Sequence, residues 1–137
     1  WFSRCEWLIE LDRHAEALAI AERLVADRPR QALAHEVHAE VLEAVGQHDE
    51  RVEALRRALA LQPRLGSSRL RLCDALIDLK RFEDARSVIA EGQQLLGDRP
   101  ELALRLATIE RTAGNHEAAR KMLRAALDRP PIIAMAG

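Results

Sequence analysis

The sequence repeats itself every 34 residues, and this period constrains the fold more strongly than any other feature. Pro63 follows Pro29 by 34 positions, Pro131 follows Pro63 by 68, and Gly97 stands in the place between the last two. Proline and glycine both end helices, so each repeat is expected to stop at the same point. Three further columns share this offset: Ala17, Arg51, Ala85 and Ala119; Ala21, Leu55, Ile89 and Leu123; and Leu24, Ala58, Gly92 and Ala126.

Between these breaks, apolar residues recur at intervals of three and four, which is the spacing of one helix face. In the second repeat Ala39, Leu42 and Val45 precede Gly46, and the pattern resumes at Val52. Each repeat is therefore predicted to contain two amphipathic helices. The predicted helices cover 2–11, 14–27, 32–45, 48–61, 66–79, 82–96, 99–113 and 116–128.

A turn and then a ring-bearing residue separate the two helices of most repeats. The turn column holds Asp12, Gly46, Lys80 and Gly114, and the ring column holds His14, His48, Phe82 and His116. Because these histidines recur with the repeat, they are spread along the stack and do not converge on one ion. We expect their rings to pack and to form hydrogen bonds after each turn.

The composition favours a soluble helical fold and argues against several functions. Hydrophobic residues make up 48%, charged residues 31% and aromatic residues only 3%, so Leu, Ala, Val and Ile must build the core. The net charge of −1 disfavours nucleic-acid binding, which needs a basic excess. The chain shows no apolar run of about 20 residues, no signal-peptide pattern and no C-x-x-C spacing. We expect a reducing, cytoplasmic compartment and no membrane partner.

The repeats resemble the tetratricopeptide repeat, whose pattern is W-x2-L-G-x2-Y…A-x3-F…P. The residues that carry the resemblance are Trp1, Leu8, Ala17 and Pro29 in the first repeat, and Leu42, Gly46, Leu55, Ala58 and Pro63 in the second. Three residues depart from the pattern: Arg51 replaces a small alanine, Glu110 stands in the usual aromatic column, and Gly97 replaces the closing proline.

The resemblance implies an all-α, right-handed superhelical solenoid of four antiparallel helix-turn-helix repeats, with about eight helices. We expect repeats at 1–31, 32–65, 66–99 and 100–131, which together form a solenoid over 1–131. Residues 132–137 are then an apolar tail or the start of a following segment.

The residues that most suggest chemistry fit the repeat better than they fit an active site. His35 and His38 share one helix face, but no Cys, Asp or Glu completes a metal-ligand set around them. Cys5 and Cys73 stand two repeats apart in a column of small packing residues, too far apart for a disulfide. No phosphate-binding loop, nucleophile elbow or metalloprotease motif occurs. We expect no catalytic residue, no metal and no cofactor.

The resemblance also implies a binding surface, because the first helix of each repeat lines a concave groove in the family. The predicted surface comprises Phe2, Glu6, Ile9, Glu10, Leu33, Glu36, Val37, Glu40, Glu43, Leu70, Arg71, Asp74, Ile77, Asp78, Leu104, Arg105, Thr108 and Arg111. Its first half is acidic, whereas Arg71, Arg105 and Arg111 make the second half mixed. We expect a protein or peptide ligand with a basic segment, and weaker binding after charge reversal at Glu36 and Glu40. The alternative is a spacer whose solvated face binds nothing.

The last repeat supports two further hypotheses. A solenoid normally ends with a polar capping helix, but Pro130 and Pro131 lead into the apolar residues 132–137, so the apolar side of the last repeat is expected to be uncovered. A following domain would cover it if the chain were a non-catalytic helper module of a larger enzyme, such as a bacterial transferase. Alternatively, two copies pair through this side.

Arg51 provides a local test of helix packing. A guanidinium between paired helices must extend toward solvent or pair with a carboxylate, such as Glu50 or Glu53. We expect Arg51→Ala to be neutral or stabilising. A loss above about 2 kcal/mol in the free energy of unfolding would instead place the arginine in a buried network.

Overall fold

The computed structural model describes residues 5–7, 9 and 13–128. Seven helices have both ends in this part: α1 His14–Asp27, α2 Ala32–Val45, α3 His48–Leu61, α4 Gly66–Asp78, α5 Phe82–Leu96, α6 Pro100–Thr112 and α7 His116–Leu127. Residues 5–7 and 9 are also helical, within the predicted helix over 2–11. Every predicted bound of α1–α7 is met to within one residue, and no strand occurs among the described residues. The prediction of an all-α chain is confirmed.

The turn inside each repeat has the same backbone geometry in repeats two, three and four. A residue with positive φ ends each first helix: Gly46 at 81°, Lys80 at 58° and Gly114 at 95°. The next backbone N–H donates to the carbonyl five residues earlier, from Gln47 to Leu42, Arg81 to Leu76 and Asn115 to Glu110, at 2.9, 2.8 and 2.7 Å. This pairing closes the helix C-terminus, and glycine adopts the left-handed conformation most easily. The turn therefore keeps its form even where lysine replaces glycine.

At each of the first two prolines that end a repeat, a side chain of the next repeat donates a hydrogen bond to the proline carbonyl. His35 Nε2 donates to the Pro29 carbonyl at 2.8 Å, and Arg69 Nη2 donates to the Pro63 carbonyl, also at 2.8 Å. Both donors are buried and stand six residues after their proline, so they occupy one column of the repeat. The residue six positions after Gly97 is an alanine, so proline and donor are lost together at the third break.

The core lies along the interfaces between successive helices, where the predicted apolar columns are buried. Leu55 and Ile89 are fully buried, as is Ala21 at the same column of the first repeat. The fourth repeat differs, because Leu123 is 39% exposed and Leu127 is 84% exposed. Among the described residues, the outer side of α7 is therefore uncovered, as predicted.

The prediction for the ring column is wrong in two repeats. Phe82 and His14 are half-buried, but His48 and His116 are exposed. Both rings face solvent at the first residue of their helices, α3 and α7.

Candidate peptide-binding surface

The structure places most of the predicted binding residues on one face of the first helices of the repeats. We call this face the groove surface, and it consists of the predicted residues that are exposed or half-buried. Its exposed members are Glu6, Leu33, Glu43, Arg71, Asp78, Leu104 and Arg111. Its half-buried members are Ile9, Glu36, Glu40, Leu70, Asp74, Arg105 and Thr108. Phe2 and Glu10 lie outside the described residues.

Two predicted residues do not belong to this surface. Val37 is only 1% exposed and packs in a core cluster with Cys5 and Val41. Ile77 is buried in the second core cluster. Each first helix packs against helices of two repeats. The buried stripe of such a helix is wider than that of a helix that packs on one side only. The solvent-facing stripe is correspondingly narrow.

Polar contacts join the groove surface of one repeat to the next. Glu36 on α2 accepts hydrogen bonds from Ser68 Oγ at 2.6 Å and Ser67 Oγ at 3.3 Å, both on α4. Asp74 on α4 forms an ion pair with Arg105 on α6, with Arg105 Nε and Asp74 Oδ1 2.8 Å apart. These contacts fix neighbouring first helices side by side, so their exposed faces form one continuous surface.

The acidic half of the groove surface centres on Glu40. Burial raises the pKa of the Glu40 carboxyl, Arg71 opposes this increase, and the negative charges of Glu6 and Glu43 add to it. Arg105, by contrast, is committed to Asp74 on the neighbouring repeat. Negative charge is therefore concentrated over repeats one and two, while the charges farther along compensate one another.

Arg51 lies beneath the edge of this surface, with partners other than those predicted. Its guanidinium is buried and lies 3.6 Å from Glu43 Oε1 and 3.6 Å from Asp78 Oδ2. The expected partners were Glu50 and Glu53, which precede and follow it in the sequence. Instead, the arginine bridges the ends of two first helices, because successive repeats bring Glu43 and Asp78 together. The expected neutral or stabilising effect of Arg51→Ala stays a prediction.

The histidines and cysteines that suggested chemistry lie in the packed interior. His35 Nε2 is occupied by the Pro29 carbonyl, and burial lowers the pKa of His38. Burial raises the pKa of the Cys73 thiol to about 12, which keeps it protonated and unreactive near neutral pH. Among the described residues, no three His, Cys, Asp or Glu side chains are grouped to hold a metal ion.

Several solved protein structures share this helical architecture. The chain is similar to a MamA protein, with 14% identity and a TM-score of 0.75 over 90% of this chain and 68% of that one. It is also similar to a thermophilic TPR protein of Thermus thermophilus, with 22% identity and a TM-score of 0.70 over 92% of this chain and 71% of that one. This chain has the tetratricopeptide-repeat fold. PilF of Pseudomonas aeruginosa shares this fold, with 20% identity and a TM-score of 0.73 over 92% of this chain and 58% of PilF.

At these identities the similarity concerns the tetratricopeptide fold alone. No protein-family model and no curated protein sequence matches the chain. None of the described helices combines the length and the apolar character needed to cross a membrane.

Several residues that join neighbouring repeats could not be predicted from the periodic pattern. Ser67 and Ser68 hold Glu36, and Arg86 Nε lies 2.7 Å from Glu110 Oε1 across the interface of repeats three and four. A signal for the second pair was present, since Arg86 and Glu110 both replace apolar residues in their columns. Charges of opposite sign that replace apolar residues on adjacent repeats indicate a contact.

Proposed function

We propose that the chain is a non-catalytic scaffold that binds a basic protein segment on the groove surface of its first two repeats, in the cytoplasm. The supporting observation is the concentration of carboxylates around Glu40, where Glu6 and Glu43 act on the same site. Leu33 and Ile9 lie on the same surface and provide apolar contact. Carboxylates steer a basic ligand and fix its register, while the apolar residues supply contact area.

Charge reversal on the groove surface tests this function. Glu6 and Glu40 are better targets than Glu36 and Glu43, because Ser67 and Ser68 donate hydrogen bonds to Glu36 across two repeats and Glu43 pairs with the buried Arg51. We expect Glu6→Lys/Glu40→Lys to weaken binding of a short synthetic Lys–Leu peptide at least about tenfold, measured by fluorescence anisotropy at low salt. Added salt should weaken the wild-type complex as well.

The matched control carries the same charge change away from the groove surface. Glu50 and Glu53 are exposed on α3, so Glu50→Lys/Glu53→Lys should change the affinity less than about twofold. A Glu–Leu peptide of the same length checks the sign of the charge. Equal losses in the two double variants would remove the groove surface from the mechanism.

Self-association is a second candidate function, favoured by the exposure of Leu123 and Leu127 on α7. In repeats two and three, the residues equivalent to Leu123 are covered by the next helix. A second copy that covered this side would bury the same column. Light scattering on the peptide-binding samples measures the mass, and a strict monomer at high concentration would exclude pairing.

A further inference from the structure

Four neighbouring depressions, which together we call the furrow, lie along the edge of the solenoid where successive repeats are joined. The furrow consists of a depression of about 440 Å³ beside Pro29, two of about 280 and 540 Å³ beside Pro63, and one of about 270 Å³ beside Leu102. Neighbouring depressions share the lining residues Ala60, Pro63 and Arg64 in turn, so the four lie next to one another.

The furrow has apolar walls. Val25, Leu61, Leu65 and Leu95 line it, and Leu61 is among the few large apolar side chains that are exposed. The walls come from the C-terminal ends of the second helices and from the loops that follow them. Because these ends recur with the repeat, the apolar sockets recur along the edge.

The charge of the furrow is opposite to that of the chain as a whole. Five arginines line it, against two carboxylates, an excess of three positive charges in a chain whose net charge is −1. Arg56, Arg57 and Arg64 are exposed and form no ion pair with any described carboxylate. The positive charge is therefore available at the surface.

One of these five arginines is buried in the floor of the furrow. Arg69 is 1% exposed and donates to the carbonyls of Pro63 and Val88 at 2.8 and 3.0 Å. Among the described carboxylates, the one within ion-pair distance is that of Glu91, at 3.7 Å, and it is itself exposed. Arg69 therefore contributes positive charge beneath the exposed arginines, partly offset by Glu91.

We propose that the furrow is a second docking surface, which binds an acidic protein segment carrying apolar side chains. Carboxylates of the segment meet Arg57 and Arg64 at the rim, and its apolar side chains enter the sockets between them. A nucleic-acid backbone fits less well, because it offers no apolar side chains and meets Glu91 and Glu101 in the furrow. The furrow and the groove surface differ in sign and share only Leu70, so they select different partners.

Selection from a displayed library of random short peptides tests the proposal. The wild-type chain is the target, and Arg57→Glu/Arg64→Glu is used for counter-selection. Both arginines are exposed, so the double variant should fold normally, and circular dichroism checks this. We expect the recovered peptides to be rich in Asp, Glu and large apolar residues, and to bind the double variant at least about tenfold more weakly.

A control variant and competing ligands show whether the binding is specific to the furrow and to acidic peptides. The groove variant Glu6→Lys/Glu40→Lys should bind the selected peptides within about twofold of wild type, which separates this site from the groove surface. Recovery of peptides that are not acidic, or that bind the arginine variant equally well, would overturn the proposal. So would duplex DNA or phosphatidylglycerol vesicles that bound more tightly than the best peptide and depended on the same arginines.

Discussion

Replacing Gly92 with alanine is expected to lower the free energy of unfolding by about 2–3 kcal/mol. In an ordinary helix interior the same change raises it by about 0.5–1 kcal/mol. A Cβ atom at Gly92 would lie 2.5 Å from Arg69 Cδ and 3.3 Å from Leu102 Cδ2. Arg69 would have to move, and its hydrogen bonds to Val88 and Pro63 would be lost or strained.

A double-mutant cycle separates this clash from the general cost of a larger side chain. In an Arg69→Ala background the nearest obstacle is gone, so Gly92→Ala should become neutral or stabilise the fold by up to about 1 kcal/mol. Urea unfolding followed by circular dichroism measures all four proteins. If the alanine costs as much without Arg69 as with it, the arginine is not the reason for the glycine.

The case of Gly92 shows which parts of the fold could be predicted from the sequence. Its column is buried in the first three repeats, because a fixed period places equivalent residues in equivalent positions. The reason for glycine within that column depends on Arg69, a residue of another column. Periodicity alone does not show which columns meet across an interface.

The candidate site likewise has features that could be predicted from the sequence and features that could not. The exposed carboxylates and arginines of the groove surface lie on the predicted helices, since charge and helical spacing are visible in the sequence. Val37 and Ile77 were misplaced because the period does not show how wide the buried stripe is. The predicted partners of Arg51 stand beside it in the sequence, whereas Asp78 reaches it from the next repeat.

The interface between repeats three and four contains an ion pair where the preceding interface is apolar. Arg86 and Glu110 occupy the columns of Val52 and Leu76, which both lie in the larger core cluster. Arg86 Nε lies 2.7 Å from Glu110 Oε1, and Asn115 Nδ2 donates to Glu110 Oε2 at 2.8 Å. The Glu110 side chain is only 11% exposed, so its charge depends on these partners.

Removing one partner should therefore cost more than removing both. We expect Arg86→Val to lower the free energy of unfolding by about 3 kcal/mol, because it leaves the Glu110 carboxylate buried without its cation. Arg86→Val/Glu110→Leu recreates the apolar pair of the preceding interface, so it should be neutral or more stable than wild type. Urea unfolding at neutral pH measures these changes, and a double variant as unstable as Arg86→Val would show that the apolar pair cannot replace the ion pair.

The pH dependence gives an independent readout of the same contact. Hydrogen bonds from Arg86 and Asn115 hold the pKa of the Glu110 carboxyl below its ordinary value. The folded state thus binds a proton at Glu110 less readily than the unfolded state does. The stabilisation is present above the ordinary glutamate pKa and is lost as the pH falls through the lowered one. We expect the stability advantage of the double variant over wild type to grow on acidification from about pH 6 to pH 3, measured by unfolding at each pH. A constant difference across that range would show that Glu110 does not hold its charge through this contact.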